Sequence, residues 1–310
     1  MLSKAELPND PITSDASVRE LVPKWVDEDF LDPIGGKLTV LSFSREARRQ
    51  SKTVVVHTWS RNIPEASFYQ LKPHVFVASP EFVFLVAATK LPKRPLVALG
   101  DELCGLYSFD AQAERGMRQR VVPLTTKERL AGFLNGVVDC QGAKKAIDAL
   151  RFVVERSGSP METFDEMAFC LPCRLGGYGL PEPEMNRYEY LTLSARKLYH
   201  AKKCAPDLGW FEKHVAVEHL GGHDHSLDED ALADRARVAA LKEMGFEVVE
   251  LTSDLVSSLD AFEVITMRLA SLLNKRIRKE NLGPTVERLA LRRELRAWNA
   301  SYGSIAGGEE

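Results

Sequence analysis

Blocks of apolar periodicity alternate along the chain with clusters of turn-forming residues. Residues 52–57 (Lys-Thr-Val-Val-Val-His) and residues 73–78 each have the character of a short buried strand. Ser79-Pro80-Glu81 then opens a helix, with a hydroxyl cap, proline at the first helical position and an acid in the first turn. Phe82, Leu85, Val86 and Leu91 are its expected buried stripe. Further helices are predicted over 126–137 and 143–156, and a loop over 115–120. Ser159-Pro160-Met161-Glu162 repeats the cap logic, with Glu162 completing a capping box ahead of Phe164, Met167 and Ala168.

Residues 170–186 are dense in Gly and Pro, and two short strands follow over 207–211 and 214–219. A helix over 227–244 ends at Gly245, residues 246–251 alternate as a strand, and Asp254 stands where a cap would begin the next helix. Gly283-Pro284 separates the last two helices. Helix, hairpin, helix, strand, helix is an α/β order. Residues 1–38, rich in Asp, Glu, Pro and Gly, read as a flexible lead-in with one helix after Ser14-Asp15. Four regions are expected: 1–38, a smaller α+β region at 39–158, an α/β unit at 159–280, and a basic helix and tail at 281–310.

Composition narrows the class. At 310 residues, 45% hydrophobic and 27% charged, the chain can bury a real core. No apolar run approaches the ~20 residues of a membrane span, and the N-terminus lacks a secretion signal. Five cysteines without secretory context read as reduced thiols, so a cytoplasmic location is expected. The net charge of −3 gives no argument for nucleic acid. Its distribution differs: over residues 266–296 nine bases (Arg268, Lys275, Arg276, Arg278, Lys279, Arg288, Arg292, Arg293, Arg296) face three acids (Glu280, Glu287, Glu294). Such an arm either meets phosphates or an acidic partner, or is a solvated pair of helices.

The candidate chemistry lies in Pro206 to Glu218. If the strands join by a tight turn at Glu212-Lys213, Phe211 pairs with His214 and Asp207 lands opposite Glu218. Leu208, Trp210, Val215 and Val217 then share the core face, and the two acids project from the other. Directly opposed residues have Cβ atoms ~5 Å apart, so two carboxylates repel unless a cation such as Mg²⁺ sits between them. The other reading is a longer turn, with a slipped register and both acids in solvent.

Pro206-Asp207, the apolar strand, Val217-Glu218, Gly221 and His225 resemble a family of PD-(D/E)XK proteins related to very-short-patch-repair endonucleases. Asp234-Arg235, Leu241, Gly245-Phe246 and Val248-Val249-Glu250-Leu251 resemble that family's late helix and strand. The resemblance covers roughly residues 159–275. It implies a restriction-endonuclease-like mixed sheet flanked by helices. It also implies metal-dependent hydrolysis of DNA, with Asp207 and Glu218 binding Mg²⁺ or Mn²⁺ and Glu162 supporting them. Two residues after Glu218, where such enzymes carry Lys or another acid, stands Leu220. His223 and His225 are candidate substitutes, Lys213 a weaker one. Residues 77–85 resemble a segment of abortive-infection type IV antitoxins.

Other features have plainer readings. His214 and His219 fall on opposite strand faces, against a single site shared with His223, His225 and Asp224. Cys170-x-x-Cys173 with Cys204 lacks a fourth ligand and reads as core thiols. Gly176-Gly177-Tyr178-Gly179 lacks the Lys of a phosphate loop. Asp234-Arg235 reads as a solvated ion pair as readily as a phosphate contact. The functions expected are therefore a Mg²⁺-dependent DNA endonuclease, an inactive nuclease fold used as a DNA-binding or antitoxin-like regulator, or a module whose basic C-terminal helices meet a protein partner.

Overall fold

The structure is a computed structural model and describes residues 38–42, 54–59, 63–72, 75–110, 113, 116–220 and 228–303. The helix expected after Ser14, and His223, Asp224 and His225, lie outside the described residues. Among the described residues helices predominate over strands, and the chain is a mixed α/β protein. No helix among the described residues is long and apolar enough to cross a membrane.

The first region holds a parallel pair, β1 (Leu38–Ser42) and β2 (Val54–Thr58), and a hairpin of β3 (Phe68–Lys72) and β4 (Val75–Ala78). Helix α1 (Pro80–Ala88) starts as its sequence predicts, Ser79 accepting from the Phe82 N–H. Its buried face is Phe82, Phe84, Leu85 and Ala88, while Val86 and Leu91 are only half-buried. Helix α2 (Lys93–Leu103) has no counterpart in the predicted elements, and residues 117–119, expected in a loop, form β6 (Met117–Gln119) against β5 (Tyr107–Phe109). Helices α3 (Lys127–Asn135) and α4 (Ala143–Leu150) follow, the second ending six residues before its expected limit of 156.

Helix α5 (Pro160–Cys170) is capped by Ser159, whose hydroxyl accepts from the Glu162 N–H at 3.1 Å. The reciprocal half of the capping box is displaced by one residue, because Glu162 accepts from the Gly158 N–H at 2.7 Å. Past the Gly- and Pro-rich connection come β7 (Glu184–Met185), β8 (Glu189–Tyr190), α6 (Ala195–Leu198), β9 (Lys203–Cys204), β10 (Leu208–Trp210) and β11 (Val215–Leu220). Helix α7 (Asp228–Glu243) leads to β12 (Glu247–Thr252), with Gly245 at φ +86° making the turn. Thr252 rather than Asp254 caps α8 (Ser253–Ser257), and Ser258 caps α9 (Leu259–Leu272). The last element among the described residues is α10 (Val286–Gly303).

The central sheet is mixed, in the order β12-β11-β10-β7, with β11 and β12 parallel and the other pairs antiparallel. It is buried on both faces. Leu208, Trp210, Val215, Val217, Val249 and Leu251 join the large core that holds Phe164, Met167 and Phe169 of α5. Ala216 and Val248 point the other way, into a smaller cluster with Val238 and Leu241 of α7. The Leu208–Trp210–Val215–Val217 face is therefore core, but it packs with α5 and not with the helix through Leu241. The reason is alternation: a strand covered on both sides sends Ala216 to α7 and its neighbours to α5.

The basic C-terminal run is only partly free. Arg288 stacks 3.7 Å from the Tyr178 ring and donates to the Asn281 carbonyl at 2.8 Å. Arg292 donates to the Val256 and Ser257 carbonyls at the end of α8 and lies 5.3 Å from the Phe262 ring. Both are buried, whereas Arg268, Lys275, Arg276, Arg278, Lys279, Arg293 and Arg296 are exposed.

Candidate active site

The strand register sets the site. Leu208 pairs with Val217 and Trp210 with Val215, so one step outward Asp207 stands opposite Glu218. The connection is not a two-residue turn but a 3-10 turn, Phe211–Lys213, closed by His214 at φ +51°. The pairing is the same in both arrangements, since residues equidistant from the loop centre remain partners. Asp207 and Glu218 lie on the face shared with Ala216, under α7.

Asp207 Oδ2 accepts from the His219 backbone N–H at 2.7 Å, which fixes one oxygen of the carboxylate. Its carbonyl accepts from the Asn186 N–H at 3.2 Å. Asn186, held at φ +47°, also donates to Glu162 Oε2 at 2.6 Å and to the Arg156 carbonyl at 3.0 Å. Glu162 is thus linked to the acid-bearing strand through one side chain. Burial, then the charge of Asp207, push the Glu162 pKa up to about 8. Burial likewise raises Asp207, opposed by Arg237. Burial and then Asp207 drive Glu218 well above the usual carboxylate range.

The cation on this face is one that sequence reasoning missed. Arg237 of α7 reaches Glu218 Oε2 at 2.6 Å and Asp234 Oδ1 at 3.3 Å. Asp234 pairs with Arg237, one helical turn on, because its immediate neighbour Arg235 points elsewhere into solvent. The only sequence signal was the spacing of Asp234, Arg237 and Leu241 on one helical face. The ion pair is close but poorly aligned: both carboxyl oxygens of Glu218 and Nε of Arg237 are buried without a hydrogen-bond partner. Leu220 is half-buried and packs with the small core beside α7, so no cation is supplied from its position.

The opposite face carries a second pair. His219 Nδ1 and Asp165 Oδ2 are 2.6 Å apart, both nearly inaccessible. Burial disfavours the His219 cation, but the Asp165 carboxylate outweighs it and holds the imidazole pKa above its ordinary value. Five carboxyls (Glu162, Asp165, Asp207, Glu218, Asp234) are thus set against three cationic groups, Arg237, His219 and, at Asp165, Arg292. This surplus of buried acid, with the orphaned oxygens of Glu218, suits a hard divalent cation, which uses one or two carboxylates and completes its shell with water. Among the described residues, no group of three or more His, Cys, Asp and Glu side chains is spaced to enclose a metal, so the donors on offer are the facing pair. His225 lies outside the described residues and contributes no geometry.

Glu166, one turn along α5 from Glu162, is buried away from this pair. Burial, and then Glu182, push its pKa up to about 8. The folded state therefore keeps a proton that the unfolded chain releases above its ordinary pKa of 4.5, so stability falls as pH rises between those values. Glu166→Gln removes that penalty. It is expected to stabilise the protein by on the order of 3 kcal/mol at pH 7 and by less than about 1 kcal/mol at pH 5. Urea titrations at the two pH values check it, and an equal gain at both would contradict it.

A scan against protein-family models, a search of curated proteins and a search of solved structures each returned no match to this chain.

Proposed function

We propose that this protein is a metal-dependent DNA endonuclease of restriction-endonuclease-like fold, acting through Asp207 and Glu218. The observation that carries the reading is the register that sets two buried carboxylates opposite each other, with Glu162 of the preceding helix tied to the same strand. The order α5, hairpin, α7, parallel β12 agrees with the PD-(D/E)XK resemblance seen in the sequence. Asp207 and Glu218 are the residues that would hold Mg²⁺ or Mn²⁺. When bound, the ion supplies a water of lowered pKa and a polarised phosphate. The His219 N–H aims the Asp207 carboxylate, and Asn186 positions Glu162 behind it. We assign to Arg237 the charge stabilisation that strand enzymes of this kind draw from the position of Leu220. Five unpaired cysteines suit a reducing cytoplasm.

The Arg237–Glu218 pair and Leu220 favour a second reading, an inactive nuclease fold that binds DNA or acts as an antitoxin-like regulator. Plasmid nicking and single-strand cleavage assays with Mg²⁺, Mn²⁺ or EDTA separate the two. On the first reading the wild type cuts DNA only with metal and Asp207→Ala abolishes cutting, while binding holds or tightens because a negative charge is lost. Mn²⁺ binding by calorimetry should also disappear in Asp207→Ala. Cleavage that persists in EDTA or in Asp207→Ala rules out the metal mechanism. Binding without cutting, with activity gained in Leu220→Lys, establishes the second reading.

A further inference from the structure

Between β7 and β10 the chain makes an excursion whose outer face is explained by neither the core nor the acids. In its two-stranded ribbon Tyr190 pairs with Lys203 and Glu189 with Cys204. Alternation puts Tyr188, Tyr190 and Lys203 on one side and Glu189 and Cys204 on the other. The inner side is anchored, for Cys204, Leu191 and Ala195 all belong to the small core under α7. The outer side is open: Tyr188 is 55% exposed and Tyr190 76% exposed. The Lys203 ammonium lies 3.8 Å from the Tyr188 ring centroid, where a cation meets the ring's negative face.

Charge points to the occupant. Over residues 187–203 five bases (Arg187, Arg196, Lys197, Lys202, Lys203) face one acid, Glu189, in a chain of net charge −3. That acid pairs with Arg187 at 3.2 Å, and Arg187 also meets Glu184 at 2.8 Å, which leaves Arg196, Lys197, Lys202 and Lys203 as the surplus. Open aromatic rings beside uncompensated ammonium groups match a polymer with flat apolar faces and a regular anionic backbone. Residues two apart on a strand are separated by about 6.7 Å, close to twice the ~3.4 Å spacing of stacked bases. One base therefore fits between the two tyrosine rings, or successive bases stack across them. In a duplex the faces of each base are covered by the stacked pairs above and below, so the platform selects unpaired, unstacked bases.

We propose that the outer face of the β8–β9 ribbon is a stacking platform for single-stranded DNA, with Tyr188 and Tyr190 holding bases and Lys203 and its neighbouring lysines holding phosphates. The last residue of the platform, Lys203, lies four positions before Asp207, and its anchor packs with α7, the helix that carries Arg237. It delivers a strand to the acid pair, and in that respect alone it rests on the nuclease reading; the binding itself does not.

Fluorescence anisotropy in EDTA tests the platform apart from any catalysis, using a labelled oligothymidylate and a blunt duplex of equal length. The wild type is expected to bind the single strand at least about tenfold tighter than the duplex. Tyr188→Ala and Tyr190→Ala should each weaken single-strand binding by roughly 5- to 100-fold, and Tyr190→Phe should retain it, because stacking needs the ring and not the hydroxyl. Lys203→Gln should flatten the log–log salt dependence by about 0.7, one single-strand phosphate. Both tyrosines are exposed, and unchanged thermal melts show that their variants fold. Equal or tighter duplex binding, no binding by the wild type at low salt, or unaltered affinity in both alanine variants overturns the platform. Metal-dependent cutting alongside any of these leaves the nuclease reading standing. Loss of binding in the tyrosine variants of a protein that never cuts leaves the platform standing and removes the enzyme.

Discussion

Arg237→Gln is expected to destabilise the protein by about 3–5 kcal/mol near pH 8, and by much less near pH 5. The guanidinium is the only cation in contact with Glu218 among the described residues, and that carboxylate is completely buried. Removing one partner of a buried pair leaves an uncompensated charge, and this is costlier than never having had the pair. The cost follows pH because Glu218 can escape it by taking up a proton. Its folded pKa is already high, and losing Arg237, which lowers it, raises it further. The loss therefore grows with pH where wild-type Glu218 is ionised against Arg237 while the variant still keeps the proton that the unfolded chain releases above about pH 4.5. The Arg237→Gln/Glu218→Gln double variant should recover most of the loss, since a neutral amide needs no counter-charge. Mg²⁺ should restore part of the stability of the single variant and none in the double variant. Chemical denaturation of the four proteins with and without Mg²⁺ reads the cycle, and a loss independent of pH would mean that Arg237 acts through packing alone.

Trp210→Ala is expected to cost about 3–5 kcal/mol, the usual penalty for deleting a buried aromatic. The indole is 7% exposed and belongs to the core shared with α5, and its Nε1–H donates to the Pro181 carbonyl at 2.9 Å. Alanine leaves a cavity beneath the hairpin and strips the Pro181 carbonyl of its stronger donor, leaving it only the Cys170 thiol at 3.3 Å. Because β10 also carries the start of the acid pair, Trp210→Ala should weaken any metal binding at Asp207 together with stability. Trp210→Phe keeps most of the volume and should lose well under half as much. A midpoint shift worth less than about 1 kcal/mol in a denaturant titration would show that this face is not buried.

The hairpin was legible because its information is local. Leu208, Trp210, Val215 and Val217 alternate with a period of two, and counting outward from any symmetric loop pairs Asp207 with Glu218. The left-handed His214 altered the turn without altering that count. Helix α2 was hidden by Pro92 and Pro95, which punctuate the sequence yet fall before and within its first turn, where no intrahelical N–H is required. Arg237 was invisible for another reason. Its partner lies nineteen positions away on a strand, and nothing in the surrounding charges distinguishes it from a solvated base. The same holds for Arg288 and Arg292, which the charge pattern grouped with seven exposed neighbours although their guanidinium groups serve backbone carbonyls. Local periodicity carries the register; long-range pairing of charges does not appear in any window of sequence.

Glu218 and His219 are adjacent on β11 yet look to opposite sides of the sheet, one to Arg237 and the other to Asp165. The peptide N–H between them is spent on Asp207. That single amide proton is a built-in reporter. Its resonance shifts when Asp207 gains or loses charge, and its exchange with solvent is slow for as long as the acid holds it. Watching one nitrogen–proton pair through a titration with Mg²⁺ therefore reads the occupancy of the acid face, and the state of the imidazole behind it, without substituting any residue.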